Sequence, residues 1–231
     1  MATSIASNAV DPNHLAGVYL LTPDSDDAGF EQVLMIVEQA LQAGVRVIQY
    51  REKKAAITTQ FGRAERLREL TRLADALLII NDSVELAIHC HADGVHLGRS
   101  DGDVGAARQR LHNSLIGVSC YNELALARSA LAAGADAIAF GSIYSSATKP
   151  SAVHAPLALV TEARTTWPQC RVIAIGGINV SNISDVAAAG AHAAAVLDAV
   201  FTAHDPAQAA SKLVQQFEQG RRNYENQRTT V

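Results

Sequence analysis

The sequence predicts an α/β protein, a (β/α)8 TIM barrel, on three observations. Short apolar runs alternate with helix-like segments along the chain, and the count of such runs reaches eight. A helix end passing into a strand recurs in similar form at Leu41-Gln42-Ala43-Gly44-Val45, Leu131-Ala132-Ala133-Gly134-Ala135 and Ala187-Ala188-Ala189-Gly190-Ala191. The pair Gly176-Gly177 follows the seventh run, where barrels commonly hold a phosphate on backbone N–H groups. Strict alternation requires a parallel sheet covered by helices, because a parallel crossover needs about a dozen residues or more. An open doubly wound sheet would place a glycine-rich turn after the first strand, and Thr22-Pro23-Asp24 is not one.

In chain order, the polar segment 1–14 has too little apolar surface to order itself and is expected to be a flexible tail. Val18 to Leu21 form the first strand, stopped at Thr22-Pro23, where proline withdraws a ladder donor. From Phe30 the period is helical, through Val33, Leu34, Val37, Ala40 and Leu41, ending at Gly44. Val45 to Tyr50 is the second strand. Further strands are expected at Leu77–Ile80, Gly94–Leu97, Leu115–Val118, Ala137–Phe140, Val172–Ile175 and Ala193–Leu197, with helices near 60–74, 83–90, 103–112, 122–133 and 156–166 between them. A last helix around Ala207–Phe217 precedes a polar tail over 220–231, so the catalytic barrel is assigned to 15–219.

With 231 residues, 48% of them apolar, one domain is the default, near the ~250 residues usual for such a barrel. A net charge of −4 without a basic block points away from nucleic acid and anionic membrane surfaces, towards small-molecule partners. Cys90, Cys120 and Cys170 are odd in number and widely spaced, which fits a reducing cytoplasm better than a disulfide framework. Met1–His14 lacks a basic n-region and an apolar h-region, and no apolar run approaches the ~20 residues of a membrane span. A soluble, unexported protein is expected, with a homo-oligomer left open.

A barrel carries its chemistry at the carboxyl ends of its strands, so the polar residues there read as one set. They are Gln49, Arg51, Glu52 and Lys53 after the second run, Asn81 and Asp82 after the third, Asp101 beyond the fourth and Ser119 at the fifth. Ser146, Thr148 and Lys149 follow the sixth, and Gly176 and Gly177 the seventh. Separated carboxylates can hold a hard divalent ion through oxygen, while Arg and Lys neutralise phosphate oxygens that the ion bridges. The inventory describes a diphosphate site. Singly the residues are ambiguous: Asn-Asp after a strand is often only a helix N-cap, and Arg-Glu-Lys alone could be a solvated face.

Taken in order, Gln49-Tyr50-Arg51-Glu52-Lys53, Ile80-Asn81-Asp82, Asp93-Gly94-Val95-His96-Leu97-Gly98, Gly117-Val118-Ser119 and Ile173-Ala174-Ile175-Gly176-Gly177-Ile178 resemble the motifs of the thiamine-phosphate synthases, over roughly Gly17 to Phe217. The resemblance implies a barrel that joins a hydroxymethylpyrimidine diphosphate to a thiazole phosphate, releasing pyrophosphate with Mg2+ bound. It implies that Gln49, Tyr50, Arg51, Glu52, Lys53, Asn81, Ser119 and Lys149 hold the pyrimidine diphosphate, and that Asp82 and Asp101 ligate magnesium. Ser146, Ala147 and Thr148 would meet the thiazole, with Gly176, Gly177 and the backbone near Leu197 and Asp198 cradling its phosphate. Arg51, Lys53, Ser119 and Lys149 are the catalytic candidates. Departures from the family pattern are Ser145-Ser146-Ala147 in the sixth loop, Arg99, Tyr121, and Asp198, an acid where a small hydroxyl residue is usual. Asp198 is expected to turn away from the phosphate and cap the turn at Ala199-Val200-Phe201.

Such chemistry needs stabilisation of a departing diphosphate more than acid–base work, which fits a site without a nucleophile-and-base pair. The alternatives are a thiazole tautomerase, which would carry a histidine where Ser119-Cys120-Tyr121 stand, a Schiff-base aldolase using Lys149 or Lys53, and a non-catalytic phosphate-ligand-binding barrel.

Overall fold

In the computed structural model, which describes residues 9–145 and 153–229, eight parallel strands close into a barrel in sequence order. The chain runs β1 (Gly17–Leu21), α1 (Asp27–Gln42), β2 (Val47–Tyr50), α2 (Ile57–Leu73), β3 (Leu77–Asn81), α3 (Val84–His89), β4 (Gly94–Leu97) and α4 (Val104–Arg110). It continues through β5 (Leu115–Tyr121), α5 (Leu124–Ala132), β6 (Ala137–Phe140), α6 (Ala158–Thr166), β7 (Arg171–Ile175), α7 (Ile183–Ala188), β8 (Ala193–Val196), α8 (Asp198–Phe201) and α9 (Pro206–Thr229). β8 pairs back onto β1, with Tyr19 beside Ala195 on one side and Val47 on the other.

Both faces of each strand are buried, which is why the strands read as unbroken apolar runs. One parity fills the lumen, with Tyr19, Leu21, Val47, Ile79, Leu115 and Ile173 in one cluster. The other parity, with Leu20, Ile48, Tyr50, Ile80, Val95 and Phe140, packs outward against the helices. Ala139 and Ala195 are small lumen residues near the carboxyl ends of β6 and β8, and they leave space for a cavity there.

The recurring helix ends are one hydrogen-bonding device. In each, a residue with positive φ follows the helix, and the next N–H reaches back five residues, as Val45 to Ala40, Ala135 to Ala130 and Ala191 to Val186. This places Val45 in the turn, so β2 begins at Val47. Two more helices end the same way through Asp75 and His91, with φ of 51° and 50°, and Ala76 and Ala92 make the return bonds to Thr71 and Ala87. Lacking the glycine, those two are invisible as repeats.

The described residues within both segments assigned to tails are ordered. Within the segment assigned to a tail, Pro12–His14 form a 3-10 turn capped by Asp11, Val10 N–H donates to the Asn113 carbonyl, and Leu15 next to it plugs the barrel floor. The expected polar tail over 220–231 is helical as far as Thr229, as the end of α9. Gly220 does not stop that helix; it lets α9 approach α7, since a Cβ there would lie 2.8 Å from the Ser184 carbonyl carbon. Among the described residues no helix is long and apolar enough to cross a membrane.

On the amino side of the barrel a two-unit repeat fastens helices to strands. Asp93, just before β4, accepts the Leu78 N–H and an Arg68 guanidinium N–H, both at 2.7 Å. Asp136, just before β6, accepts the Ile116 N–H at 2.7 Å and pairs with Arg108. His192 holds the same place before β8: its Nδ1 accepts the Val172 N–H at 2.9 Å while its Nε2 faces Arg164. With Nδ1 accepting, the neutral ring carries its proton on Nε2, so a donor faces a donor where the other copies have a charge-assisted bond. His192→Asp is therefore expected to stabilise the fold by about 1–2 kcal/mol at pH 7, raising Tm by roughly 2–4 °C per kcal/mol. Burial, with help from Arg164 and Arg171, lowers the His192 pKa to about 3. The unfolded imidazole takes its proton near pH 6.5, so the stability that neutral His192 contributes is lost as pH falls below that value towards 3. The variant's Tm should fall less steeply between pH 7 and 5, as thermal melts will read; an unchanged or lower Tm at pH 7 would contradict the repeat.

Candidate active site

At the carboxyl ends of the strands a cavity of about 280 Å³ is lined by Arg51, Ser119, Tyr121, Gly176, Gly177, Leu197 and Asp198, with Leu21, Ala139, Ile175 and Ala195 as its apolar floor. Arg51 follows β2, and the β1 turn holds it. Its N–H donates to Thr22 Oγ1 at 3.0 Å, Thr22 Oγ1 donates to the Arg51 carbonyl at 3.2 Å, and the guanidinium donates to Asp24 at 3.2 Å. The same Asp24 oxygen accepts the Lys53 N–H at 2.8 Å. Burial works against ionising Asp24, but the Lys53 N–H and the Arg51 charge outweigh it and lower its pKa. Asp24 thus positions both cations of this loop. Its sequence signal was Thr22-Pro23-Asp24, read only as a turn.

Lys53 reaches across to Asp82, with which it forms an ion pair. Asp82, at φ 67°, follows Asn81, whose position in β3 has lumen parity. The Asp82 and Asp101 carboxyls are close enough to influence each other's ionisation, and Asp101 accepts the Gly98 N–H at 2.8 Å. Burial raises the Asp82 pKa, with Lys53 opposing and Asp101 adding to the rise. Asp101 is lowered: burial opposes this, and the bonds from Asp82 and Gly98 prevail. Two neighbouring carboxyls form an oxygen-only donor pair suited to a hard divalent cation. Among the described residues no group of three or more His, Cys, Asp and Glu could hold a metal, so a cation here would take its other oxygens from substrate and water.

Gly176 and Gly177 have φ of 104° and 60°, and both lie under the β6 loop. A Cβ on Gly176 would sit 2.7 Å from Ser142 Cα, and one on Gly177 2.8 Å from Tyr144 Cβ. The loop is tied down by Ile143 N–H to Ile175 O and Tyr144 N–H to Gly176 O, both 3.0 Å. Only glycine permits that approach.

Of the predicted site residues, the cavity brings together Arg51, Ser119, Gly176, Gly177, Leu197 and Asp198, while Lys53, Asp82 and Asp101 form a contiguous acidic and basic group. Gln49 points into the lumen, where its amide donates to Tyr19 Oη at 2.7 Å. Tyr50 does not face the site: period-two alternation turns it outward, edge-on to Phe30 at 6.4 Å. Glu52 is also diverted. Its side chain, 1% exposed, accepts from Arg63 at 2.9 Å and from the Ser25, Lys54 and Ala55 N–H groups, so it braces two loops. Asp198 is not the expected N-cap. Leu197 holds that place without a side-chain bond, and Asp198 is already the first helical residue. Ser146, Ala147, Thr148 and Lys149 lie outside the described residues. Two functional neighbours were missed, Arg63, a buried arginine without a local signal, and His96, which hydrogen-bonds Ser119 at 2.9 Å.

A parallel eight-stranded barrel with a cation-rich, carboxylate-bearing face and a glycine bend at its mouth is a (β/α)8 enzyme built for an anionic substrate. The family model described as thiamine monophosphate synthase matches residues 18–200. A thiamine-phosphate synthase of Chromobacterium violaceum is 45% identical over 208 residues, covering 89% of this chain and 98% of that protein. One of Halorhodospira halophila is 46% identical over 214 residues, covering 91% and 98%. The solved thiamine phosphate pyrophosphorylase from Pyrococcus furiosus superimposes with a TM-score of 0.81 at 31% identity, covering 91% of this chain and 99% of that one. The chain belongs to the thiamine-phosphate synthase family.

Proposed function

We propose that this chain is a transferase that joins 4-amino-2-methyl-5-hydroxymethylpyrimidine diphosphate to a thiazole phosphate, giving thiamine phosphate and pyrophosphate in the cytoplasm. The observation that carries the reading is the juxtaposition of Arg51, Lys53, Asp82 and Asp101 beside a cavity with a glycine bend at its far wall. Arg51 and Lys53, with Lys149 from the β6 loop, would bind the diphosphate and take up the negative charge that grows as the C–O bond breaks. Mg2+ held by Asp82 and Asp101 would supply further charge neutralisation on the diphosphate oxygens. Gln49, Asn81 and Ser119 would orient the pyrimidine from the lumen side, and the backbone at Gly176, Gly177, Leu197 and Asp198 would seat the thiazole phosphate. Ser146, Ala147 and Thr148 remain assigned to the thiazole. The apolar floor excludes water from a reactive pyrimidine cation, and the barrel holds the thiazole nitrogen in line with it.

The tautomerase reading lacks its histidine, and Cys120 in that neighbourhood is fully buried. Lys53 is ill suited to a Schiff base, since its amine is engaged by the Asp82 carboxylate. A pyrophosphate-release assay, with magnesium and each substrate omitted in turn, tests the proposal. Release is expected only when all three are present. Release from the pyrimidine diphosphate alone at the full rate would make the protein a hydrolase.

A further inference from the structure

We propose that His96 is a positioning residue: it donates its Nε2–H to Ser119 Oγ and thereby turns the Ser119 hydroxyl proton outward, as a hydrogen-bond donor to the pyrimidine substrate. The inference rests on the assignment of the pyrimidine to the Ser119 side of the cavity, and its first test does not depend on that assignment.

The alternation of β4 sends Gly94 and His96 into the lumen while Val95 and Leu97 pack outward. His96 lies beside Gly117 in the β4–β5 register, and a Cβ on Gly117 would stand 2.7 Å from His96 Nδ1. The missing side chain at 117 is thus what lets the imidazole lie flat under the site. Two residues further along β5, Ser119 Oγ meets Nε2 at 2.9 Å. Nδ1 is buried and has no hydrogen-bond partner among the described residues.

That unpartnered nitrogen decides the tautomer. If Nδ1 carried the proton, a buried N–H would be left without an acceptor; if Nε2 carries it, Nδ1 is a bare lone pair, and buried donors without partners are the rarer of the two. The same geometry disfavours the imidazolium, which would leave a buried, charged Nδ1–H without an acceptor. With the proton on Nε2, Ser119 Oγ accepts from below, and its own proton is directed towards the cavity that Ser119 lines. Ser119 is then a donor, not a nucleophile with His96 as its base.

Long-range 1H–15N correlation spectra of the labelled full-length protein at pH 7.5 read the tautomer directly, with the His96 signals assigned by their loss in His96→Gln. Protonated Nε2 with unprotonated Nδ1 is expected, and the reverse tautomer or an imidazolium would overturn the proposal. In kinetics, His96→Gln, whose amide can donate from a similar place, should keep kcat/KM for the pyrimidine diphosphate within about threefold. His96→Leu should lower it about tenfold or more, leave KM for the thiazole phosphate unchanged, and add less than about twofold in a Ser119→Ala background. Multiplying effects of the two substitutions, or a Gln variant as impaired as the Leu variant, would show that His96 does not act through the serine.

Discussion

Replacing Asp82 or Asp101 with asparagine is expected to lower turnover by about a hundredfold or more while leaving the melting temperature nearly unchanged. Asparagine keeps the shape and one oxygen, so the β3 and β4 loops should retain their form; the Gly98 N–H, for example, can still bond to residue 101. What is lost is negative charge where the pair would hold a cation against a diphosphate. The two substitutions should differ in a telling way. In Asp82→Asn the Lys53 ammonium loses its carboxylate partner and can move to the diphosphate, softening the loss. Among the described residues Asp101 has no such cation in direct contact, and its variant should be the weaker enzyme and require more magnesium. Steady-state rates over a magnesium titration will check this, and full activity of either variant at limiting magnesium would remove that residue from the site.

The second large effect is at Arg51. Its guanidinium holds Asp24 with one nitrogen at 3.2 Å and keeps other donors for a ligand in the cavity it lines. A lysine conserves the charge but not the planar fork, so Arg51→Lys should cost about 1.5–3 kcal/mol of transition-state stabilisation, roughly ten- to 150-fold in kcat/KM. Asp24→Asn should reproduce part of that loss, because the loop bond from Lys53 N–H survives while the guanidinium is held less firmly. Wild-type kinetics for Arg51→Lys would place Arg51 outside the chemistry.

The strands were legible because both of their faces are buried, and the barrel was legible because a helix end with glycine at its left-handed residue recurs. The same physics concealed the other copies: Asp75 and His91 adopt that conformation without glycine and left no pattern. The segment from Gly220 looked like a tail because it is polar, whereas its glycine serves close packing of α9 on α7. Within the site, charge at strand ends identified Arg51, Lys53, Asp82 and Asp101, yet the run from Gln49 to Lys53 could not all face one way. Period-two alternation sends Tyr50 to the helices, and Glu52 is drawn off by Arg63, eleven residues away on α2. Pairings of that kind are made by tertiary proximity and have no local signature. His96 was hidden for the same reason: its role follows from Gly117 and Ser119 on the neighbouring strand.

We propose that Arg51, Lys53, Asp82 and Asp101 would act together as one diphosphate clamp, with the two acids holding a divalent cation. Calorimetric titration of pyrophosphate into the protein, with magnesium and then with a chelator, tests it most directly. The account predicts binding with magnesium, at least tenfold weaker binding without it, and no magnesium effect in Asp101→Asn. Equal affinity with and without the metal, or a wild-type magnesium response in that variant, would contradict it.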